Sequence, residues 1–146
     1  KLVVEEDGSD LAAELWDNCD AALSSRLAYP EVRAALAASA RNDDLGDEDL
    51  LTAEHAWEEF WAATRPVELT PAVEQQAGQL ARSHALRGAD AVHLASAVAI
   101  NDPDLVVAVW DRRLHVGVLA AGGRVAPANL DADIYRAERS ASPGLI

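Results

Sequence analysis

Arg87-Gly88-Ala89-Asp90-Ala91-Val92-His93-Leu94-Ala95-Ser96-Ala97-Val98-Ala99-Ile100 is the stretch around which the rest of the chain is organised. Ala91, Leu94, Ala97 and Val98 recur at helical spacing, with little polarity outside the first turn. A helix of that kind is buried. Asp90 then stands where an apolar helix enters the interior, beside amides and a positive dipole end that favour negative charge. Two roles are open to it: a cap on the helix after the break at Gly88, or a carboxylate held for chemistry. The choice turns on whether other carboxylates reach the same place.

Working outward, Asn101 to Asp104 reads as a loop, and Leu105-Val106-Val107-Ala108-Val109-Trp110 as a strand apolar enough to be covered on both faces. Asp111 follows it directly, then Arg112-Arg113 and a helix to about Ala121, a Gly122-Gly123 stop and a short strand Arg124-Val125-Ala126. On the other side, Thr70 caps a helix from Pro71 to about His84, after a brief strand Val67-Glu68-Leu69. A helix from Asp47 carries Leu50, Leu51, Ala53, Trp57, Phe60 and Trp61 as an apolar stripe, expected to make a core or helix-hairpin contact. Tyr29 to Arg41 is helical, with Glu31 in its first turn, and Ala21 to Leu27 resembles a strand. Before it, Leu11, Ala12, Leu15, Trp16 and Cys19 repeat at helical spacing after a cap at Ser9 or Asp10.

Helices alternating with short apolar strands predict an α/β fold, a parallel sheet layered between helices. The 146 residues suit one domain. It is expected over 1–130, with 131–146 a peripheral tail of little periodicity. Composition closes several routes. The formal charge of −13, from 25 acidic and 12 basic residues, argues against broad attraction to nucleic acid or anionic membranes, although carboxylates recruited to hold metal remain compatible with a nucleic-acid enzyme. No apolar run is long enough for a membrane span, and no basic and apolar leader pattern is present. The single cysteine, Cys19, forms no internal disulfide and fits a reducing cytosol.

In an open parallel sheet, ligands gather beyond the carboxyl ends of the strands. Glu31, Asp90 and Asp111 all stand in that kind of position, and oxygen donors converging there suit Mg²⁺ or Mn²⁺ rather than zinc. With 25 acids in the chain, chance also places some at element starts. His55, His84, His93 and His115 show no zinc spacing, and neither a glycine-rich nucleotide loop nor a serine nucleophile elbow can be written over the sequence.

Three segments taken together are more specific. Ser24-Ser25-Arg26-Leu27-Ala28-Tyr29-Pro30-Glu31-Val32-Arg33-Ala34-Ala35-Leu36, Arg87 to Ala97, and Val109-Trp110-Asp111-Arg112-Arg113-Leu114 resemble, in order and spacing, the three internal motifs of PIN-domain ribonucleases, especially VapC-type toxins. The resemblance covers Lys1 to about Pro127. It implies a three-layer α/β/α fold with a central parallel sheet, and a metal-dependent endoribonuclease in which acids bind Mg²⁺ or Mn²⁺. Glu31, Asp90 and Asp111 match three of those acids. Arg112, Arg113, Arg87 and Arg33 are the basic residues nearest the expected site, candidates for RNA phosphates or else surface helix charges, and Ser25 is a candidate to orient a ligand water. His93 is expected to pack or hydrogen-bond rather than to take part in chemistry.

One departure stands out. The family's first acid lies at the end of the first strand, in a pattern like Asp-Thr/Ser-Ser-Ala, and nothing like it is present before Lys1. Lys1-Leu2-Val3-Val4 reads as the tail of the helix that should follow it, so the first strand is expected to be missing from this sequence. Two functions follow: a cytoplasmic RNA-cleaving toxin, homodimeric and neutralised by a cognate antitoxin, or a catalytically impaired PIN-like module that binds protein through the Trp57 and Trp61 face.

Overall fold

The apolar helix predicted over 87–100 lies at the centre of the packing. The computed structural model describes residues 1–130, so the tail expected over 131–146 falls outside the described residues. In chain order the elements are α1 (Ser9–Asn18), β1 (Leu23–Ser25), α2 (Ala28–Arg41), α3 (Asp47–Ala63), β2 (Arg65–Val67), α4 (Pro71–Ser83), α5 (Gly88–Ile100), β3 (Val106–Ala108), α6 (Arg112–Ala120) and β4 (Arg124–Ala126).

α5 packs most extensively on α4 and also meets β1 and α6. Ala91, Leu94, Ala95 and Ser96 are its buried residues, and the first three join Val73 and Ala77 of α4, Leu86 and Val118 in the buried core. Small side chains on α5 let α4 approach closely, while Leu94 and Val118 supply volume, each burial stabilising by about 1.5–3 kcal/mol. Ser96 satisfies its hydroxyl on the Val92 carbonyl at 2.8 Å. α4 begins as the sequence predicts, with Thr70 Oγ1 accepting the Val73 amide at 3.3 Å and Pro71 in the first turn.

The strands are parallel, as expected, and form two pairs. β1 lies beside β2 with Leu23 opposite Arg65 and Ser25 opposite Val67; β3 lies beside β4 with Val106 opposite Arg124 and Ala108 opposite Ala126. β2 occupies 65–67 rather than the expected 67–69. The Arg65 amide donates to Ala22 O at 2.9 Å and Val67 O accepts from the Arg26 amide at 3.0 Å, so the nitrogen of Pro66 faces away from β1 and its missing proton costs no bond. Leu69 is left exposed. β3 also departs from expectation: Val107 and Val109 turn inward, but Val106 is 39% exposed and Ala108 is exposed, so the strand is covered on one face only.

α2 and α3 form a hairpin of different character. The rings of Tyr29, Trp57 and Trp61 lie 5.4 to 6.2 Å apart, and Tyr29 Oη donates to Glu58 Oε1 at 2.8 Å. That bond pushes the Tyr29 phenol above its ordinary range. Arg33 pairs with Glu54 at 3.2 Å and with Glu58 at 3.8 Å. The predicted hairpin contact of the aromatic stripe is therefore present, and the Trp57 and Trp61 face considered for protein binding is turned onto Tyr29. Between those two tryptophans in α3, Phe60 meets Trp16 of α1 edge-on, with centroids 4.8 Å apart.

Two expectations near the start of the chain are corrected. Lys1 to Val4 are not helical. α1 has no side-chain cap, because Ser9 Oγ accepts the Glu6 amide and Gly8 takes the cap position at φ 88. Glycine is needed there twice over: the backbone is left-handed, and a Cβ would run into the indole nitrogen of Trp110.

Candidate active site

Glu31 is placed by the turn from β1 into α2. Ser25, 5% exposed at the end of β1, accepts the Leu27 amide on its hydroxyl oxygen at 3.3 Å, which fixes the turn just before the helix. Arg26, next in the chain, grips Glu68 with a forked pair of bonds; the carboxylate is held below, and the guanidinium above, its ordinary range, chiefly by that hydrogen bonding. Glu31 follows in the first turn of α2 and reaches across to α5, where His93 Nε2 lies 2.6 Å from its Oε2. With a carboxylate opposite, the imidazole nitrogen is the donor.

Asp90 lies in the first turn of α5, whose cap position is Arg87 and has no side-chain cap bond. The simple capping role is thus set aside, and Asp90 is a half-buried carboxylate at the positive end of the central helix. His93 comes three residues later, on the same face of α5. The Glu31–His93 bond therefore brings the first carboxylate to the face that carries the second. Asp111 stands at the cap of α6, the helix after β3, and its Oδ1 accepts the Leu114 amide at 2.8 Å. α6 packs on α5. The bonds described for Glu31 and Asp111 each use one carboxylate oxygen. All three are hard oxygen donors, the chemistry of a Mg²⁺ or Mn²⁺ site. Among the described residues, no three acidic, histidine or cysteine side chains converge closely enough to hold a metal ion.

A family model for the PIN domain matches residues 1–115. The chain belongs to the PIN-domain family. Ribonuclease VapC45 of Mycobacterium tuberculosis (strain CDC 1551 / Oshkosh) and Ribonuclease VapC49 of Mycobacterium tuberculosis (strain ATCC 25618 / H37Rv) are each 75% identical to it over 131 residues, covering 90% of this chain and 91% of theirs. The α/β fold anticipated from the alternating elements is that of a PIN domain.

Within this PIN domain the four arginines differ in surroundings. Arg112 and Arg113 are exposed in the first turn of α6, next to Asp111, and Arg87 is exposed at the start of α5. Arg33 is engaged with Glu54 and Glu58 on α3. Sequence reasoning gave His93 no part in the site. Its signal was present: it follows Asp90 by one helical turn, and a histidine so placed shares that carboxylate's face.

Proposed function

We propose that the chain is a metal-dependent endoribonuclease that hydrolyses RNA phosphodiester bonds, with Glu31, Asp90 and Asp111 as the residues that hold Mg²⁺ or Mn²⁺. The observation that carries this reading is the 75% identity, over nine-tenths of the chain, to two proteins named as ribonucleases. A bound divalent ion supplies positive charge against the scissile phosphate and makes water a better nucleophile near neutral pH. The chain's own part is to present the carboxylates and to orient the RNA. Glu31 and Asp90 share one face of α5 through His93, and Asp111 is held rigid by its bond to the Leu114 amide. Arg112, Arg113 and Arg87 hold RNA phosphates. Two cations in the first turn of α6 oppose its dipole at a cost of about 0.3–1 kcal/mol each, which contact with phosphate offsets.

The toxin works in the cytoplasm as a homodimer and is neutralised by a cognate antitoxin, for which the −13 charge favours a basic partner. No helix among the described residues is long and apolar enough to cross a membrane. The test is cleavage of a structured RNA with Mg²⁺ or Mn²⁺. Chelation abolishes the activity, added metal restores it, and Asp90→Asn and Asp111→Asn each lower the rate by on the order of 100-fold or more. Variants that cleave like the parent would overturn the assignment of the site.

A further inference from the structure

We propose that two copies of this chain associate by packing the outer face of α6 on the outer face of the partner's α3, with Arg113 beside the partner's Glu48 and Val116 against the partner's Leu51. The inference rests on the homodimer reading and gives that dimer a surface.

Leu51 and Val116 are the most exposed large aliphatic side chains among the described residues, at 67% and 59%. Each lies on the side of its helix turned away from the packing. α6 buries His115, Gly117 and Val118, whereas α3 buries Ala53 and turns Trp57 and Trp61 onto Tyr29. What surrounds the two aliphatic residues matches in spacing and differs in sign. Arg113, Val116 and Ala120 fall on one face of α6, with Leu119 beside them, and Glu48, Leu51 and His55 fall on one face of α3; all seven are exposed. Laid side by side in the same direction, the two helices set a guanidinium by a carboxylate and, one turn on, an aliphatic side chain by another.

Charge favours this pairing over others. With a formal charge of −13, two copies repel through most of their surfaces, so a cationic face meeting an acidic one is the favoured approach. Arg113 also stands in the first turn of its own helix, where the dipole disfavours a cation, and a partner carboxylate offsets that cost. Its five N–H donors let it meet this carboxylate and an RNA phosphate together. In a two-fold pair the contact is made twice, because an isologous interface repeats every pairing.

Sedimentation equilibrium of the full chain, without metal or RNA, tests the contact. The parent is expected to form a dimer that added salt weakens. Glu48→Arg and Arg113→Glu each set like charges together at both contacts and should weaken the dimer by about 10- to 100-fold. Combined in one chain, the two substitutions restore opposite charges and should recover most of the parent's affinity. Val116→Asp should dissociate the dimer as well. Because these positions are exposed, thermal midpoints should stay near the parent's, which separates a lost contact from a lost fold. A dimer that every single variant leaves intact, or a charge swap that recovers nothing, would overturn this interface while the homodimer reading stands. Larger open-ended species in place of dimers would contradict the two-fold pairing. A parent that stays monomeric at low salt removes the homodimer reading and this inference together.

Discussion

The α4–α5–α6 side of the molecule and the α2–α3 hairpin are built on different physics, and the candidate site straddles them. The first is a close-packed core of small and aliphatic side chains, with Ala95 at 0% and Val118 at 1% exposure. The second is a two-helix arm joined by tilted ring contacts and partly exposed ion pairs. Asp90 and Asp111 are carried by the core side and Glu31 by the arm. In the site proposed above, Asp90 and Asp111 would stand on the close-packed side and Glu31 would depend on its bond to His93.

The sharpest way to break the comparison is through chemistry. Asp90→Asn and Glu31→Gln both remove a charge, but only Asp90 sits on the rigid side, so Asp90→Asn should cost on the order of 100-fold or more in RNA cleavage and Glu31→Gln less. Equal losses would mean that the arm holds its acid as firmly as the core does. Stability gives the next contrast. Leu94→Ala in α5 should lower the unfolding free energy by about 2–5 kcal/mol, measured by denaturant titration. Trp61→Ala in the arm should cost about 1–2 kcal/mol, since its ring is only half-buried and its neighbours can relax. A Trp61 variant as damaging as the Leu94 variant would make the arm part of the core.

These differences explain how much could be read from the sequence. The fold was legible where periodicity is strong. The apolar spacing of Ala91 and Leu94 announced the central helix, although Val98, counted in the same stripe, is 39% exposed and the buried face runs instead through Ala95 and Ser96, and the aromatic stripe of Trp57 and Trp61 announced the hairpin. Position along the chain was enough to single out Asp90 and Asp111, since each follows a recognisable break or strand. The partner of Glu31 was not legible, because His93 lies 62 residues away and only the fold brings α2 to α5. The limits of β2 were missed because Pro66 reads as a breaker, whereas on a strand bonded along one side it costs nothing. The burial of β3 was overestimated because an apolar run does not reveal how many faces are covered; Val106 and Ala108 face outward.

Smaller effects sharpen the boundary between the two regions. Gly8→Ala should lower stability by about 1–3 kcal/mol, since it meets a left-handed backbone and the edge of Trp110 together. The same strain should disturb the neighbouring Asp111 more than Glu31, which a loss of RNA cleavage larger than that of a Trp61 variant would report. The smallest effect is that of Glu68. Its folded value is lowered by Arg26, so its contribution is present above the ordinary carboxylate range and is lost as pH falls through the lowered value. Both groups are exposed, so the thermal midpoints of the parent and Glu68→Gln should differ slightly at neutral pH and low salt, and converge in acid or in high salt.

In the function proposed above, carboxylates from both regions hold one divalent cation. A Mn²⁺ titration of the parent beside Glu31→Gln, Asp90→Asn and Asp111→Asn, read by electron paramagnetic resonance, tests it most directly. One shared binding event is expected, weakened by every one of the three substitutions. Mn²⁺ bound by all three variants as tightly as by the parent would contradict it.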